Sequence, residues 1–128
     1  MVKNHVLPII LATIWISLSE FFRNEFLLKS IWVNHYASLG LTFPSDPING
    51  LIWGIWSLGF AIFIYFVSKK FSLLGTTFLS WFVSFVLMWI VLGNMRVLPI
   101  NILPYAIPLS LLETFVGCSI IKKMTHTF

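Results

Sequence analysis

The sequence predicts an all-α, polytopic membrane protein: a bundle of four transmembrane helices with a long amphipathic first extracytoplasmic loop. Three observations predict it. Of 128 residues, 59% are hydrophobic and only 9% charged, against about 25% charged in a soluble domain. Four apolar runs each approach the roughly 20 residues that a helix needs to cross a bilayer. The charges gather at the ends of those runs. So few charges cannot cover a water-facing surface, and the lipid bilayer is the expected partner. The length suits a single domain, 1–128.

The first span covers about 6–28, with Glu20, Arg23 and Glu25 interrupting its far end. Lys3 before an apolar stretch has the look of a secretory leader. Ser17 and Ser19 before Glu20 make a poor cleavage pattern, however, so the segment reads as a membrane helix. The second span covers about 49–68, the third 72–93 and the fourth 97–121, with Pro99, Pro104 and Pro108 in its first half. Helices are required because lipid offers backbone groups no hydrogen-bond partners.

The connections are unequal. Lys69-Lys70 and Asn94-Met95-Arg96 form tight turns, whereas the first connection runs from about 23 to 48. One side of the membrane holds Lys3, Lys69, Lys70, Lys122 and Lys123, and the other Arg23, Lys29 and Arg96. The positive-inside rule then places both termini in the cytoplasm, in the cell (inner) membrane, and the long loop outside. Phe26, Leu27, Ile31, Trp32, Tyr36 and Leu39 recur in that loop at helical spacing. They predict an extension of the first helix or an amphipathic helix on the outer surface. A lipid-facing interfacial helix is the preferred reading, and a lid over the bundle the alternative. Gly40 is a candidate C-cap, and residues 43–47 a turn into the second span.

Helices in lipid approach through small and polar residues. In the second span Gly50, Gly54, Ser57 and Ala61 share one face, and Gly50 and Gly54 form a GxxxG pair. This face is expected to meet another helix, within the bundle or in a second copy. Thr13, Ser17, Glu20 and Asn24 form a stripe on the first span. Thr77, Ser80 and Ser84 do so on the third, and Ala106, Ser110, Glu113 and Gly117 on the fourth. These stripes are expected to face one another.

Glu113 lies roughly 13 Å from the Lys122 end at 1.5 Å per residue. An ionised carboxylate there costs on the order of 3 kcal/mol. It must be neutral, paired or beside water, and no basic residue is expected within its reach. Glu20 is expected nearer the outer boundary, in a cluster with Arg23, Asn24, Glu25 and Arg96. That cluster closes the bundle or binds a charged group. His35 is a weaker candidate contributor from the loop. Two acids at different depths suggest a proton or ion relay.

His5 and His126 form no ligand cluster, and Cys118 alone makes no disulfide or thiolate metal site. No catalytic, cofactor, metal or phosphate-loop motif is present, and the scattered basic residues give nucleic acid no patch. The expectation is a homo-oligomeric transporter or channel for a small solute or ion, using intramembrane acids, rather than an enzyme. The alternatives are a membrane-embedded enzyme or binding protein for a lipid-like molecule, and a structural or accessory subunit.

Overall fold

A computed structural model describes residues 2–125. The side chain of Lys3 and all of His126 lie outside the described residues. Four helices are long and apolar enough to cross a membrane: α1 (Asn4–Leu27), α3 (Pro47–Ser68), α4 (Leu73–Asn94) and α5 (Ile100–Thr125). A shorter helix, α2 (Lys29–Ser38), lies in the long loop. The four spans alternate in direction, so Asn4 and Thr125 sit on the Lys69–Lys70 side, the basic end. The long loop and the Arg96 turn mark the opposite, loop end.

Local chemistry explains most boundaries. Ser72 caps α4 by accepting a hydrogen bond from the Gly75 amide at 3.1 Å, as serine does at a helix start. Pro47 opens α3, where its fixed φ is already helical. Gly40, at φ +74°, ends α2. The Leu41 amide donates to the Tyr36 carbonyl and the Gly40 amide to the Ala37 carbonyl, which is a Schellman stop. The fourth span starts later than expected. Arg96 takes a left-handed φ of 65° and Pro99 is extended, so Pro99 lies outside the helix. Pro104 then falls at the start of its α-helical part, where its missing N–H costs nothing.

Helix α1 packs against α3 and α5, and α5 also packs on α4. Towards the basic end the interior is closed and holds an apolar cluster alongside buried Ser68, Thr76, Thr77, Thr114 and Lys122. Ala12 and Ile16 of α1 meet Phe60, Ala61 and Ile64 of α3, and Cys118 and Ile121 of α5. His5 bonds the Tyr65 hydroxyl, and the buried Lys122 ammonium donates to the Ser68 carbonyl at 2.8 Å. A smaller cluster of Leu28, Leu98, Ile102 and Ala106 closes one flank at the loop end. The exposed Ile14, Leu18, Ile55, Leu74, Ile90 and Leu112 form part of the lipid-facing belt.

Gly117 shows how close α1 and α5 come. A Cβ added there meets Ile16 at 3.7 Å and Trp15 at 3.8 Å. Alanine therefore makes ordinary contact, while the outer atoms of leucine have no room. Gly117→Leu is expected to cost about 1–3 kcal/mol by overpacking, with Gly117→Ala near neutral. Thermal unfolding of the two variants in detergent checks this.

Candidate functional site

The polar stripes meet between the two apolar clusters, and they bring the chain's most expensive groups together. Glu20, Arg23 and Glu113 are 4%, 5% and 1% exposed. Arg23 Nη2 lies 2.6 Å from Glu20 Oε1, and Nη1 lies 3.3 Å from Glu113 Oε1. Glu113 therefore has a basic partner, contrary to the expectation from its depth in the last span. Two features explain the correction. Helical side chains lean towards the N-terminus, so the Arg23 guanidinium reaches deeper into the bundle than its Cα. The antiparallel α5 is also held level with the middle of α1, because the Trp15 indole donates to the Glu113 carbonyl at 2.9 Å.

The end of α1 is shaped to the same purpose. Phe22–Leu27 form a π-helical turn, with the Leu28 amide donating to the Arg23 carbonyl five residues back. The wider turn keeps Arg23 inward while Asn24 still contacts Glu20. Asn24 Nδ2 donates to Glu20 Oε2 at 3.0 Å, and the Trp32 indole donates to Asn24 Oδ1 at 3.2 Å. One polar chain thus runs from α2 through Asn24, Glu20 and Arg23 to Glu113. Arg23 also stacks over the Phe85 ring, 5.3 Å from its centroid. Glu113 Oε2 and Ser80 Oγ are buried with no hydrogen-bond partner among the described residues. Buried polar atoms are almost always paired, so these two atoms are exceptions in the interior of the bundle.

Above this cluster lies a cavity of about 720 Å³. Glu20, Arg23 and Asn24 form its polar floor. Phe85 and Trp89 of α4 and Trp53 of α3 form aromatic walls, and Trp32, Tyr36 and Phe43 roof it. The roof rings touch one another, with centroid separations of 5.2–6.2 Å. The long loop thus lends three rings to the cavity's border, while α2 itself has no buried residue.

The smooth face of α3 divides in two. Ser57 and Ala61 are buried against the bundle, as expected. Gly50 and Gly54 instead border the cavity, and a Cβ at either meets nothing within 4 Å. The other predicted residues spread out. Glu25 lines the cavity but pairs with Lys29 at 3.1 Å. Arg96 is exposed and takes part in no ion pair among the described residues. Its backbone makes the left-handed turn into α5, and Leu98 and Ile102, buried on Leu28, follow it. His35 Nε2 donates to the Arg96 carbonyl at 2.8 Å, which is a structural role in that turn. Asp46, not singled out from the sequence, lies at the cavity rim, and its side chain makes no capping bond to α3. Its position directly before Pro47 hid it among turn residues.

Fold and site together define the class: an integral membrane protein with an amphipathic cavity at one end, floored by buried charges. No family model, curated protein or solved structure matches the chain.

Proposed function

We propose that the protein is a carrier for a small solute, in which Glu113 exchanges a proton for its contact with Arg23. The observation that carries this reading is the cavity ending on a guanidinium shared by two buried carboxyl groups. A proton on Glu113 removes its claim on Arg23, leaving the guanidinium to Glu20 alone. The polar chain from Glu20 through Asn24 to Trp32 then links that change to the long loop. The cavity lies at the loop end, and the basic end is closed, where His5–Tyr65 and Lys122–Ser68 join the helices. One-sided access is the arrangement a carrier needs, since movement of substrate requires that only one end be open at a time. With the termini cytoplasmic, the cavity faces outward. It is built within one chain, so a second copy is not required for this end of the route.

Reconstitution tests the reading. Proteoliposomes with an entrapped pH dye are given an imposed pH gradient and then offered small organic amines, amino acids and carboxylates in turn. One solute class is expected to accelerate proton movement, and Glu113→Gln to reduce that rate at least tenfold. An undiminished rate in Glu113→Gln would exclude the exchange.

A second reading, binding or processing of a lipid-like molecule, is favoured by one observation. The cavity is bordered by Leu18 and Phe21 of α1 and by Ile52 of α3, which are exposed in the lipid-facing belt. A side entrance from the bilayer suits an apolar tail. Co-purified lipid whose amount falls on filling the cavity would favour this reading over the carrier.

A further inference from the structure

We infer that the cavity's ligand is an amphipathic organic cation: a quaternary or protonated amine, or a comparable onium group, on an apolar body. This rests on reading the cavity as a ligand site and adds the chemistry of what enters it.

Charge favours a cation. The chain has four acidic residues. Glu20, Glu25 and Asp46 line the cavity, and Glu113 lies directly beneath it on Arg23. Of eight lysines and arginines in the sequence, Arg23 is the one among the described residues that lines it. Its guanidinium is already held by Glu20 and Glu113, and Glu25 is answered by Lys29. An anion would find Arg23 taken and three carboxylates around it. A cation finds Asp46, which pairs with no basic residue among the described ones.

The wall is aromatic: Trp53 and Trp89, with Trp32 and Tyr36 of the loop, line the space, while Phe85 is buried and already carries Arg23 on its face. Aromatic faces attract cations, and alkylated ammonium groups are recognised by such cages. The same rings suit an apolar body. Size and access fit as well. About 720 Å³ lies within the roughly 300–1,000 Å³ of small-molecule sites. The border at Leu18, Phe21 and Ile52 lets an apolar body arrive from the bilayer while its charge travels along the acidic side.

A matched pair of probes tests the assignment. Tetraphenylphosphonium and tetraphenylborate have nearly the same shape and opposite charge. Equilibrium binding of each to the full chain in neutral detergent is read by tryptophan fluorescence and by retention of labelled probe. Only the part lost when Gly54 is replaced by Phe is counted, which removes partition into the micelle. Tetraphenylphosphonium is expected to bind at least tenfold more tightly than the borate. Asp46→Asn, at an exposed N-cap whose side chain makes no capping bond and which asparagine also suits, is expected to weaken it about fivefold, and Glu20→Gln about tenfold. Equal or tighter binding of the borate overturns the cation assignment, as does an unchanged affinity in Asp46→Asn. Either result leaves the carrier reading to the Glu113→Gln flux measurement. Cation binding without Glu113-dependent flux supports the ligand class and sinks the carrier reading.

Discussion

Replacing Arg23 with Met is expected to destabilise the folded chain by about 3–5 kcal/mol, the usual consequence of removing one partner from a buried ionic cluster. The pairs join α1 to itself and to α5 across 90 positions of sequence. Without Arg23, Glu20 keeps the Asn24 amide, but Glu113 loses its basic partner among the described residues. The lost contact over Phe85 adds to the effect. Methionine retains much of the arginine's apolar bulk, so the loss reports on charge more than on a void. The triple variant Arg23→Met, Glu20→Gln, Glu113→Gln is expected to recover most of the stability, because a buried cluster replaced as a whole is often nearly neutral. Thermal unfolding in detergent reads both. If Arg23→Met unfolds at the parent midpoint, the cluster does not hold α1 to α5. If the triple variant is as unstable as the single one, packing around Arg23 is responsible instead.

How much of this the sequence disclosed depends on the range of the forces involved. Span lengths follow from local hydropathy, and the four helices lie within a few residues of the expected positions. Gly40 was legible as a stop because a left-handed turn has few candidates. The Asn94–Arg96 turn was legible too, but that Arg96, neither glycine nor asparagine, would take its left-handed position was not. The Arg23–Glu113 pair was illegible for a different reason. Its distance depends on the lean of a long side chain, on a π-helical turn and on the register set by Trp15. Each shifts the outcome by several ångströms, and none follows from spacing along one helix. Gly50 and Gly54 were correctly placed on a smooth face with Ser57 and Ala61. Whether such a face packs or lines a space depends on how far its neighbours diverge, and only the half with Ser57 and Ala61 is covered.

That divided face supplies the variant with the largest expected effect on binding. Gly54→Phe is expected to fold as stably as the parent, within about 1 kcal/mol, while lowering affinity for tetraphenylphosphonium at least tenfold. A Cβ at Gly54 meets nothing within 4 Å, so the new side chain enters the cavity without displacing backbone. Removing a helix-interior glycine even favours α3 slightly, since glycine costs roughly 0.5–1 kcal/mol relative to alanine in a helix. The added ring occupies the space between Trp53 and the α4 wall, where the ligand's apolar body is placed. The competing account is that Gly50 and Gly54 receive a helix of a second copy, as GxxxG pairs do in membranes. The two accounts predict different observables for one substitution. If the glycines border a ligand site, light scattering of the protein–detergent complex gives the same protein mass before and after Gly54→Phe, and only the ligand is lost. If they form a helix contact between copies, the mass falls with the substitution, and the apolar wall of the cavity belongs to an interface.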